Sequence, residues 1–209
     1  ALFSKTAIGT TGFNGQVMAS LPPPTLMDIL DGPILQDSDN NAGLYVVMRG
    51  AGSNGWNGAE LWAGVDDASL EGVGTVQNAA VRGFAENALG NFALGIMDGI
   101  NSLTVNVGDG ELSSATRAAL DANQGLNAFA LGINGRWEYC QFMTATDLGN
   151  TGGGRRYTLS GLIRGLRGTI GNRGNHAAND RFVMLGLAGT LRPVWVYSEI
   201  GQSRLYRAV

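Results

Sequence analysis

Short apolar stretches alternate with clusters of Gly, Asn, Asp and Ser along most of the chain. "TLMDIL", "LYVVMR" and "AELWAGV" follow one another between residues 25 and 65, separated by "DSDNNAG" and "GAGSNGWNG". "SLTVNV" at 102–107 alternates cleanly between apolar and polar positions, as a half-buried strand does. Beyond it come "NAFALGI", "WEYCQFMTA", "RYTLSGLI", "DRFVMLG", "LRPVWVY" and "RLYRAV", each short and bounded by turn residues. A strand about every ten residues predicts an all-β fold, sandwich-like or barrel-like. One short helix is expected over 113–122, "SSATRAALDA", with Ser113 or Ser114 as its N-cap. "TDLGNTGGGR" at 146–155 reads as a long hairpin loop.

The pattern divides into three parts. Residues 1–25, ending in "SLPPPT", have weak periodicity and three consecutive prolines, and read as an N-terminal arm or linker. Residues 26–95 and 96–209 read as two small β subdomains. The 33 glycines fit this scheme, because glycine accepts the positive φ that tight turns between strands require. No apolar run approaches the roughly 18 residues of a membrane span. The chain starts at Ala1, and we read it as a piece of something longer.

Charge changes the picture. Residues 1–150 carry Lys5 and Arg49, Arg82, Arg117 and Arg136 against fifteen carboxylates, a net of −10. Residues 151–209 carry nine arginines against Asp180 and Glu199, a net of +7. Such a split predicts a charged partner, or acidic and basic faces meeting within one assembly.

Reactive chemistry is hard to place. In "YTLSGLIRGLRGT" (157–169) the glycines at 161, 165 and 168 are four and three apart, which does not match the phosphate-cradling Gly-x4-Gly-Lys-Ser/Thr. His176 is the one histidine and Cys140 the one cysteine, too few for a zinc site of the usual ligands. Cys140 sits in a strand-like run as a small buried hydrophobe. Asp37, Asp39 and Asn41 alternate like the start of a calcium loop, but Ala42 and Met48 stand where Gly and Glu are needed. No cofactor, metal or catalytic constellation is expected. Trp62, Trp137 and Trp195 lie in strand-like runs and read as core or interface, whereas Trp56 lies in a Gly/Asn loop and could carry a sugar. The arginines are not interleaved with aromatic residues, which argues against nucleic acid.

The second half resembles a known family. "GELSSATRAALDANQGLNAFALGINGRWEYCQF", "RYTLSGLIRGLRGT", "NHAANDRFVML" and "SEIGQSRLYRAV" are similar to the C-terminal part of the baseplate hub, or tail-tip, proteins of long-tailed bacteriophages and gene transfer agents. Glu138, Gln141 and Phe142, the 157–169 segment, His176 and the terminal Leu205–Val209 carry the likeness. "LQDSDNNAGLYVV" and "GWNGAELW" extend it more loosely into the first half.

The resemblance implies a non-enzymatic virion component at the distal end of the tail. It implies a homotrimer in the full assembly, docked to fibres, receptor-binding proteins or neighbouring hub copies, with no cofactor and no membrane span. Glycines 161, 165 and 168 would then form a bend. Arg164 and Arg167, with Arg173 and His176 nearby, would anchor that bend or hold a partner. The alternative is a carbohydrate-binding receptor-recognition domain with Trp56 on the sugar. A cell-wall hydrolase ranks below both.

Overall fold

The computed structural model describes residues 23–34, 37, 43–52, 55–92, 97–151, 153–185 and 189–209. Most of the arm read over 1–25 and most of the calcium-like stretch 37–43 lie outside the described residues. The fold is β-rich with few helices, and a closed six-stranded barrel is joined to two three-stranded sheets.

The barrel is built from β5 (Arg82–Ala85), β6 (Leu103–Asn106), β7 (Ala128–Gly132), β8 (Glu138–Asn150), β9 (Arg155–Ile163) and β10 (Arg181–Met184). All neighbours pair antiparallel, in the circular order β5-β6-β9-β8-β7-β10. Alternation along each strand sends one set of side chains inward: Leu103 and Val105, Phe129 and Leu131, Cys140 and Phe142, Phe182 and Met184. The Phe129 ring lies 5.0 Å from Phe182 and 6.1 Å from Phe142, so three aromatic rings fill the centre.

β1 (Thr25–Leu30), β2 (Tyr45–Gly50) and β11 (Thr190–Leu191) form one sheet, and β12 (Leu205–Ala208), β3 (Ala59–Gly64) and β4 (Glu71–Val76) form the other. They face each other across Val46, Met48, Leu61 and Val76, with Met27, Ile29 and Tyr206 around them. β2 is buried at every position because its other face lies on the barrel. There Tyr45 and Val47 pack with Ala128, Ala130, Tyr139 and Val183, the outward residues of β7, β8 and β10. Asp28 of β1 joins this contact by ion pairs to Arg82 of β5 and Arg181 of β10, at 3.2 Å for Arg181.

The chain therefore leaves the sandwich after β4, makes the barrel and returns with β11 and β12. The division read near residue 96 does not follow this course, since β5 already belongs to the barrel. The arm likewise ends earlier than read: Thr25 is in β1, and the Pro24 carbonyl accepts from Ala51 N–H. The expected helix is shorter, α1 at Arg117–Ala122, because Thr116 is the N-cap, accepting from Ala119 N–H, while Ser114 Oγ accepts from Ala145 N–H. The long loop at 146–155 is mostly strand, as β8 and β9 pair out to Asn150 and Arg155. In "LRPVWVY" only Leu191 is strand, and the rest winds to a short 3-10 turn at Tyr197–Glu199.

A single residue decides what the end of the barrel contains. Inward positions on β9 are Tyr157 and Leu159 and then Leu162, so the facing side changes between 159 and 162. Gly161 sits at that change with φ +64, a conformation that favours glycine. A Cβ there would also lie 3.0 Å from Met143 Cβ. Gly161→Ala is expected to destabilise the fold by about 1–2 kcal/mol in urea denaturation. Gly171→Ala, whose added Cβ would meet nothing within 4 Å, is expected to leave the midpoint unchanged.

Candidate functional site

Because of the change at Gly161, Arg164 follows Leu162 to the inner side and meets Glu138, the first inward residue of β8. The pair is two-pronged: Arg164 Nη2 donates to Glu138 Oε2 at 2.7 Å and Nε to Oε1 at 3.1 Å. Their side chains are 3% and 0% exposed. Arg164 Nη1 donates to the Gly90 carbonyl at 2.5 Å and reaches Asp98 Oδ2 at 3.3 Å.

His176 extends the chain of contacts, with Nε2 2.8 Å from Glu138 Oε2 and Nδ1 3.3 Å from Asp180 Oδ2. Both ring nitrogens thus face carboxylates. Arg136 closes the series on Asp180 at 2.6 and 3.0 Å. Asp98 is fixed independently by N–H groups of Ile100 and Asn101 and by its backbone exchange with Leu162.

Buried charge on this scale is tolerated when it is paired and hydrogen-bonded. Burial pushes the Glu138 carboxyl up, but hydrogen bonds from His176 and Arg164 outweigh it and hold the group below its ordinary 4.5. Asp98 follows the same logic: burial raises it, and donors from Asn101, Ile100 and Arg164 bring it below 3.8. Burial, then the Glu138 charge, drives the Cys140 thiol well above its usual range, so this sulfur is inert packing.

The rest of the "RGLRGT" bend is held against β8. Gly165 (φ +62) opens it, and its missing side chain leaves room for Ile170. Thr169 Oγ1 accepts from Tyr139 N–H at 3.0 Å and donates to the Leu166 carbonyl at 2.9 Å. Asn172 donates to the Trp137 carbonyl at 2.8 Å.

The arginines read together from sequence thus separate into three situations. Arg164 is locked inside. Arg173 has Nε and Nη1 buried and, among the described residues, unpartnered. Arg167 is exposed, sits at φ +52 and forms no hydrogen bond or ion pair among the described residues. Trp56 is half-buried at the edge of the sandwich, with its indole N–H on Thr25 Oγ1 at 2.9 Å. Asp98 and Asp180 carry the network as much as the motif does, yet nothing in their local sequence distinguished them from the other acids.

A second feature lies at one end of the sandwich. A groove of about 680 Å³ runs between residues 31–34, 43–44 and the 192–206 segment. Tyr45 Oη donates to the Pro33 carbonyl at 3.2 Å, and Arg192 lies 4.4 Å over the Tyr45 ring. Trp195 meets Tyr206 edge-on at 5.8 Å, with Arg204 4.7 Å over its ring and Arg204 paired to Glu199. Groups of three or more His, Cys, Asp and Glu able to hold a metal are absent among the described residues.

Arg164→Gln leaves Glu138 without its two-pronged partner and is expected to destabilise by about 3–5 kcal/mol, a fall in Tm of about 10 °C. Arg167→Gly relieves a left-handed backbone and is expected to be neutral or to stabilise by up to about 1 kcal/mol. Since Glu138 and Asp98 titrate below their ordinary values, their stabilisation is complete above those values and is lost as pH falls through the lowered ones. Wild-type stability should therefore drop below about pH 4.5, and Glu138→Gln should start lower with a shallower slope in the same acid titration.

Residues 80–183 match the protein family described as Rcc01698-like, C-terminal. The match begins just before β5 and ends within β10, and it contains Glu138, Arg164, His176 and Asp180. No curated protein matches the chain. The barrel, with its buried ionic lock, is thus the part of this chain that is similar to the Rcc01698-like C-terminal family.

Proposed function

We propose that this chain is a structural, non-enzymatic virion protein: a tail-tip or baseplate-hub domain that docks fibres or neighbouring subunits during host attachment. The observation that carries this reading is the state of the signature residues. Arg164, Glu138 and His176 grip one another inside the barrel's end, with both nitrogens of the one histidine engaged and its side chain fully buried. Residues built into a core in this way stiffen a domain and leave its function to its surface. The homotrimer, the tail-end location and the hub partners come from the sequence resemblance.

The docking face we favour is the outer side of the β12-β3-β4 sheet. Leu205 and Val209 are exposed there, beside Trp62, which pairs across from Arg207. Exposed apolar side chains grouped on one sheet face mark interaction surfaces better than scattered ones do. Charge plays a smaller part than composition suggested. Arg155, Arg156, Arg164, Arg181, Arg204 and Arg207 all form ion pairs within the chain.

No described helix is long and apolar enough to cross a membrane, which says nothing of strands. The glycan reading at Trp56 draws no added support, since the indole N–H is already engaged.

The tagged 209-residue chain mixed with tail proteins is expected to recover a fibre or hub component. Recovery should survive about 0.5 M salt, where exposed ion pairs are screened. It should be lost in the double variant Leu205→Glu/Val209→Glu, whose circular dichroism should be unchanged. Failure of the wild-type chain to recover any tail protein removes the docking role.

A further inference from the structure

The groove at the end of the sandwich is separate from the docking face, and its lining has a distinctive chemistry. Among the described residues its charges are balanced, Asp31 and Glu199 against Arg192 and Arg204, so these four favour neither an anion nor a cation. Three aromatic rings, Trp195, Tyr197 and Tyr206, border it, and Tyr197 is 87% exposed. An aromatic ring this open in a concave site offers an apolar face beside polar groups.

Buried donors beside the groove lack partners among the described residues, among them Trp195 Nε1, Arg204 Nε and the Tyr139 hydroxyl. The hydroxyl occupies the place of a missing side chain at Gly32, a groove residue, where an added Cβ would lie 2.0 Å from it. Buried donors of this kind are satisfied by a ligand or by water. Tyr206 is the one strand residue among the described lining, and it belongs to β12, the edge strand of its sheet.

We propose that this groove binds a neutral saccharide of roughly two or three rings, a size matched to its volume. A ring face rests on Tyr197. Sugar hydroxyls donate to the Asp31 and Glu199 carboxylates and accept from the guanidinium edges. The site goes beyond the docking role and stands whether or not that role does.

The 209-residue chain titrated with maltotriose, mannotriose and a galactose trisaccharide, each to about 20 mM, tests it by tryptophan fluorescence and saturation-transfer NMR. At least one sugar is expected to bind with a Kd of about 1 mM. Tyr197→Ala should weaken it at least about tenfold with Tm unchanged, and Trp56→Phe should leave it unaltered. Absence of saturable binding by all three, or binding indifferent to Tyr197→Ala, overturns the proposal. A random-peptide library that enriches groove binders in place of any sugar assigns the groove to a peptide and overturns it equally.

Discussion

A glutamate sealed inside a β-barrel is tolerable when a cation is held against it, and Glu138 imposes that condition on this chain. The cation is Arg164, and it reaches the interior because Gly161 turns β9 over by one position. With an ordinary residue at 161 the alternation of Tyr157 and Leu159 would continue, and Arg164 would point out of the barrel. The bend that follows, with Thr169 and Asn172 tied to the start of β8, then fixes the guanidinium along the strand that carries its partner. The glycine, the arginine and the acid form one device, and His176 with Asp180 extends it to the surface at Arg136.

The same principle explains the division of charge along the chain. A basic final third and an acidic first part suggest two molecules attracting each other. Most of that attraction is internal. Arg156 pairs with Glu86, Arg181 with Asp28, and Arg207 with Asp67, so late residues fasten early ones. Such pairs contribute little each when exposed, whereas removing one partner of a pair as far inside as Arg82 with Asp28 leaves a buried charge uncompensated. Their larger effect is to specify which strands come together in a chain that leaves one sheet pair, builds a barrel and comes back.

Much of this was legible in the sequence for a physical reason. Strands with one buried face write their period into the chain, and "SLTVNV" and "RYTLSGLI" fall where the alternation puts them. β4 and β5 escaped notice because "EGVGTV" and "RGFA" are short and glycine-rich, with few side chains to show a period. "TDLGN" reads as loop because its Asp and Gly belong to a bulge, between Asp147 and Gly149, inside a strand. The motif's glycines announced a bend, and Gly161, Gly165 and Gly168 all have positive φ. Sequence could not tell which arginine goes inside, since Arg164 and Arg167 look alike and their separation depends on Gly161. Asp98 was also hidden, because its role is set by contact with a strand 64 residues away, at Leu162. The groove was invisible for a related reason, as Gly32 and Trp195 meet through folding alone.

β2 links the two halves of the molecule. It has no solvent face: Val46 and Met48 belong to the sandwich, and Tyr45 and Val47 belong to the contact with the barrel. A one-residue shift of β2 along its neighbours would exchange these two sets, placing residues fitted to one core against the other. Tyr45 also stands behind two lining residues of the groove, with its hydroxyl on the Pro33 carbonyl and the Arg192 guanidinium over its ring. The groove is therefore braced from behind by the same contact that orients the barrel on the sandwich.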